Sequence, residues 1–129
     1  MAATKAGYFV DEITDWKRTI AFHIDEIYGL TVKLAELVQR NSIPNLAAKV
    51  EKHQDKLNGL SKKFSTLLLQ FRRQEAMLKT DSTLLDDSQI KTETETYQKG
   101  IRQMLHDTEK EFIEVKNNCQ SFLAGFYNK

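Results

Sequence analysis

The chain has few of the residues that interrupt or cross-link a fold. Its 129 residues include one proline, five glycines and one cysteine. A lone cysteine allows no internal disulfide, which fits a reducing compartment. Proline this sparse excludes a loop-rich sandwich and a disordered linker. Charge of one sign is missing too. Nineteen basic against eighteen acidic residues leave +1, so no overall field draws the chain to nucleic acid or to an anionic membrane. No apolar run exceeds the three residues of Leu67-Leu68-Leu69, far short of the roughly 20 that a spanning helix needs. The stretch from Met1 to Glu12 holds no apolar core of signal-peptide length. A cytoplasmic protein is the expectation. Residues 1–129 make one domain, large enough to bury about two-thirds of its unfolded surface without a disulfide or metal.

What is present is periodicity. Phe9, Ile13, Trp16, Ile20, His23, Ile27, Leu30, Leu34 and Leu37 alternate in steps of four and three. This is a heptad seam, and Val10, Ile24, Thr31 and Val38 widen it to face two neighbours. A second seam runs Ile43, Leu46, Val50, His53, Leu57, Leu60, Phe64, Leu67, Phe71, Gln74 and Leu78. A third runs from Ile90 through Thr94, Tyr97, Ile101, Leu105, Thr108, Phe112, Val115, Cys119 and Phe122 to Phe126, with Met104 and Leu105 competing where its phase slips.

Pro44 suits a first helical turn, and Ser42 or Asn45 a cap. In the second link Thr83 with Asp86 resembles a capping box, and Ser88 is another cap. No strand pattern competes. The spacing predicts an all-α, elongated, antiparallel up-down-up three-helix bundle with helices over roughly 7–40, 45–79 and 86–127. The alternative is four helices, with a break near Gly59 or Gly100. At 1.5 Å per residue each unbroken helix is roughly 50–60 Å long.

Charge is sorted along the chain. Residues 1–40 hold five basic and six acidic groups (−1), residues 41–80 eight and three (+5), and residues 81–129 six and nine (−3). A turn near residue 42 brings Glu26 toward Lys56 and Glu12 toward Arg72 or Arg73. The basic helix, with Lys49, Lys56 and Lys63 on one flank, reads as complementary to its neighbours. A phosphate-binding face is the weaker reading, since no aromatic residues interleave for base stacking.

His23 and His53 occupy seam positions in similar surroundings 30 residues apart, a pattern open to an old helix duplication. The turn places them about eight residues out of register, roughly 12 Å, too far to share a metal ion. The Glu-x-x-His motif of di-metal bundles is absent, because Ile20, Val50 and Gln103 stand three residues before the histidines. Phosphotransfer on a helix-borne histidine is the alternative activity. However, Gly29 and Gly59 lie roughly 240° around the helix from the imidazoles, where they open no access. The preferred reading is two core histidines, each bonded to a helix carbonyl or a polar neighbour such as Thr31 or Gln54. If buried and neutral, they destabilise the fold as they gain charge below about pH 6.5. His106 falls outside the seam. Cys119 lies on it, where a thiol is usually inert. Asp86 and Asp87 read as loop or capping groups. No phosphate loop or nucleophile elbow occurs. No catalytic residue, cofactor, metal or small-molecule ligand is expected.

One apolar feature is left over. Ala21, Tyr28, Val32 and Ala35 form a second stripe on the far side of the first helix, with Phe22 beside it. Helices apolar on two faces usually have partners on both. The expected function is therefore a non-enzymatic interaction or scaffolding module. Its partner is a protein, most simply a second copy.

The stretches Trp16-Lys-Arg-Thr-Ile-Ala-Phe-His-Ile-Asp-Glu-Ile-Tyr-Gly-Leu, Leu34-Ala-Glu-Leu-Val-Gln-Arg-Asn41 and Val50-Glu-Lys-His-Gln54 resemble a class of small bacterial helical-bundle proteins with no assigned activity. The resemblance covers residues 13–78 and implies a helical fold without a functional residue. The Phe9 to Trp16 spacing is also similar to the first helix of spectrin-type repeats, a likeness common to tryptophan-bearing three-helix bundles.

Overall fold

The structure is a computed structural model and describes residues 4–127. Helix α1 spans Lys5–Arg40, α2 Leu46–Met77 and α3 Thr92–Tyr127. They form an up-down-up three-helix bundle. Thr4 starts α1, its hydroxyl accepting from the Gly7 N–H at 3.1 Å. The side chain of Asn41 closes the other end by donating to the Leu37 carbonyl at 2.9 Å. Pro44 lies in the turn before α2. Asn45 takes the capping position without a side-chain cap bond, because it adopts the left-handed conformation (φ 65°) that reverses the chain. Ile43 is therefore in the connection and not on the seam, and it is exposed.

The four-helix alternative is not realised. α2 runs through Gly59 and α3 through Gly100, and a Cβ at either would meet nothing within 4 Å. An interior glycine costs only about 1 kcal/mol against alanine, which the continuous seams offset.

The second connection departs from the sequence reading. α3 begins at Thr92, not near 86. Residues between form a two-residue hairpin, β1 (Lys79–Thr80) against β2 (Thr83–Leu84), and a short 3-10 turn at Asp87–Gln89. Asp81 and Ser82 both take positive φ, 50° and 68°, as a tight two-residue hairpin requires. The pairing is Lys79 with Leu84 and Thr80 with Thr83. The capping partner of Asp86 is Gln89, whose side chain accepts from the Asp86 N–H at 2.8 Å, and not Thr83. Asp87 is a cap, as expected of it, but for a distant helix. Its carboxylate accepts from the Lys5 N–H at 2.9 Å, placing negative charge at the positive end of α1.

The core is the three seams interlocked. Ile13, Ile20, Ile27 and Leu34 meet Leu57, Leu60, Phe64, Leu67 and Phe71, with Ile101, Leu105, Phe112 and Cys119 closing the third side. In α3 the phase slip resolves toward Leu105, leaving Met104 exposed. Near its end Leu123 is buried and Phe122 only packs against the core. Each fully buried Leu, Ile or Phe stabilises the fold by roughly 1.5–3 kcal/mol.

One layer is polar. Gln74 and Gln98 are fully buried. The Gln74 amide donates to the Thr94 carbonyl at 2.9 Å and to Gln98 Oε1 at 3.0 Å. Gln98 donates to the Phe9 carbonyl at 3.2 Å and to Glu12 Oε1 at 2.9 Å. A chain of bonds thus crosses from α2 through α3 to α1. Buried amides satisfied this way penalise sliding of any helix, because a slip leaves them unpaired.

Candidate functional site

The outer strip of α1 lies about 100° around the helix from the side that Ile20, Ile27 and Leu34 bury, and Ala35 at its edge borders the groove against α2. Tyr28 is 71% exposed, Phe22 63% and Val32 37%, and Ala21 and Ala35 are also exposed. All five residues therefore share one helix with free side chains. Phe22 stands one turn before Glu26, whose carboxylate reaches α3, so Phe22 borders the strip on its α3 side.

Beneath that border lies the main charged cluster. His23 is a partly buried wedge between aromatic rings, 5.4 Å from Phe64 and 4.8 Å from Phe112. Its Nε2 is 2.8 Å from Glu109 Oε2 and its Nδ1 is 3.4 Å from Glu26 Oε1. Lys116 donates to the other Glu26 oxygen. The partners are carboxylates, not the carbonyl or neutral side chain expected, and Thr31 instead bonds its own helix at the Ile27 carbonyl. The sequence reading missed Glu109 and Lys116 because they sit beside the third seam and not on it. Burial alone would raise the Glu26 carboxyl. The hydrogen bonds from Lys116 and His23 outweigh it and hold the group below its ordinary 4.5.

His53 has a different environment despite its similar sequence. Its ring packs 4.5 Å from Phe122. Burial, helped by the nearby charge of Lys56, lowers its pKa from the ordinary 6.5. His106 is exposed. Cys119 is fully buried. Burial raises its thiol above 9.0 against a small opposing pull from Lys33, so it holds little nucleophilic thiolate at neutral pH. Among the described residues no three His, Cys, Asp or Glu side chains converge on a metal position.

The inter-helix ion pairs also differ from expectation. Glu12 reaches Arg102 and not Arg72 or Arg73, and Glu26 reaches Lys116 and not Lys56. Both glutamates lie on the α3 side of α1. Lys5–Glu95, Glu12–Arg102 and Glu26–Lys116 share one offset of 90 residues, the mark of parallel α1 and α3 in register. The basic α2 contributes Lys63–Glu111 to α3, while Lys17–Glu75 joins it to α1 with the opposite polarity.

A shallow apolar groove of about 440 Å³ runs between α2 and α3, lined by Tyr97, Ile101 and Met104 around Gly100. The side-chain oxygen of Gln70 at its edge is buried without a hydrogen-bond partner. No protein-family model, curated protein or solved structure matches the chain.

Proposed function

We propose that this chain is a cytoplasmic, non-enzymatic interaction module, a scaffold or adaptor that docks another protein through the outer face of α1. The observation that carries this reading is the exposure of Tyr28 and Phe22 on a helix whose seam is already buried in the core. Large aromatics left in water on a strip of small side chains favour association, since covering them removes apolar area from solvent. Histidine phosphotransfer at His23 or His53 draws less support. Both ring nitrogens of His23 face carboxylates, whose charge repels a phosphoryl donor, and His53 packs against Phe122. The test is quantitative affinity capture from the native cell with the parent and with Tyr28→Glu. The reading expects a protein retained by the parent and lost by the variant. An identical set of captured proteins contradicts it.

A further inference from the structure

Helix α2 carries more positive charge than its neighbours neutralise. Seven lysines and arginines stand on it against three acidic residues. Among the described residues only Lys63 of the seven enters an ion pair. The excess gathers near the start of the helix. Lys49, Lys52 and Lys56 are exposed. They fall within about 60° of arc, on the flank that also carries Lys63 and so faces α3. Asp55 and Glu51 are turned at least about 60° further round, away from α3.

The Lys63–Glu111 bond and the packing of His53 on Phe122 set the level of the two helices. The three lysines therefore lie beside the last part of α3. From Val115 to Tyr127 that helix holds no acidic residue. It presents Asn118 and Ser121, both exposed, and Phe122 and Phe126, both half-buried. The sequence of α2 puts no aromatic residue on its lysine flank, and α3 supplies two. A strip of lysines thus borders an aromatic floor that brings no countercharge. His53 registers this. Beyond the effect of burial, the charge of Lys56 lowers its pKa.

We infer that this end of the α2/α3 face receives an acidic amphipathic helix of another protein. Its carboxylates meet Lys49, Lys52 and Lys56, and its apolar side chains cover Phe122 and Phe126. The charges are complementary where α3 leaves the lysines without a partner. The lysines follow one another at about 4.5 and 6 Å along the axis. Carboxylates on one face of a second helix repeat with the same steps of three and four residues. An extended segment repeats one face about every 6.7 Å and drifts out of step. A nucleic-acid strand fits less well. The net charge of +1 gives no long-range attraction. The Phe122 and Phe126 rings meet at 67°, edge to face, and offer no parallel platform for bases. The surface is on the α3 flank of α2 and is independent of the α1 strip.

Titrations of the full chain followed by NMR test this. The first probe is a helical peptide of about five turns, with glutamates every three and four residues along one face beside a leucine stripe. The second has the same composition with its glutamates dispersed around the helix. The third is a single-stranded oligonucleotide of equal charge. The patterned peptide should shift the resonances of Lys52, Lys56, Asn118 and Ser121. It should also raise the His53 pKa, because its carboxylates offset Lys56. The dispersed peptide should bind roughly tenfold more weakly. Lys52→Glu combined with Lys56→Glu should weaken the patterned peptide by at least roughly tenfold. Lys62→Glu, about 80° or more round the same helix, should leave it unchanged. Circular dichroism identical to the parent's shows that the variants fold. Equal binding of the two peptides, undiminished affinity in the double variant, or no binding up to about 1 mM overturns the inference. Tighter binding of the oligonucleotide at these residues overturns it in favour of nucleic acid. The same shifts on concentrating the chain alone overturn it in favour of a second copy.

Discussion

Arg102 grips Glu12 with two hydrogen bonds of 2.7 Å, one from Nε and one from a terminal nitrogen, and its guanidinium lies 5.9 Å from the Trp16 ring centre. One side chain of α3 thereby fixes both the register and the rotation of α1. The paired geometry is what only arginine offers a carboxylate. The hydrogen bond to Glu12 is the main reason the guanidinium is held above its ordinary pKa.

Arg102→Lys should therefore behave as a non-conservative change. It keeps the charge but loses the fork, and should lower unfolding free energy by about 1–2 kcal/mol in urea denaturation. Glu12→Gln combined with Arg102→Lys should cost less than the two single losses added together, because the residues share one interaction.

The buried amide layer should show the asymmetry of unpaired polar groups. Gln98→Leu removes one of the two acceptors of the buried Gln74 amide and the donor to Glu12 and the Phe9 carbonyl, and should cost about 1–3 kcal/mol. Gln74→Leu together with Gln98→Leu should recover part of that loss. Denaturation midpoints of the two single variants and the double variant decide it.

Core and outer face should separate cleanly. Phe64 is fully buried and touches the His23 and Phe112 rings, so Phe64→Ala should cost about 3–5 kcal/mol. Phe22→Ala and Tyr28→Ala, on the exposed strip, should shift monomer stability by no more than about 0.5 kcal/mol. Thermal denaturation at low concentration compares them.

His53 sets an acid sensitivity. Its pKa is lowered in the folded state, so the unfolded chain binds its proton first. The stability from keeping His53 neutral is present above about pH 6.5 and falls as pH drops through the folded value. His53→Gln should flatten the stability profile between pH 7 and 5. Glu26 acts in a lower window. Its contribution is present above 4.5 and is lost as pH falls through its depressed folded value. An unchanged profile in His53→Gln would show that its burial has no energetic consequence.

The fold was legible because heptad spacing dictates which face each helix buries. Ile13, Ile20, Leu57, Phe64 and Phe112 all stand where the seams place them. The second link was not, since a capping pattern at Thr83 and Asp86 looks the same whether it opens a long helix or follows a hairpin. Positive φ at Asp81 and Ser82 leaves only a faint trace in the sequence. The His23 cluster was half legible. Seam position marks the histidine, but which carboxylate meets it depends on the 90-residue offset between α1 and α3. That offset was within reach: residues 5, 12 and 26 carry charges opposite to those at 95, 102 and 116. The outer strip needed only the periodicity of one helix, and its five residues are exposed as that periodicity places them.

The central claim is that the outer face of α1 meets another protein. A photo-activated cross-linking residue at position 28, irradiated in the native cell, tests it directly, with the exposed position 110 on α3 as control. The account predicts a covalent protein adduct at position 28 and none at position 110. No adduct at 28, or equal adducts at both, would contradict it.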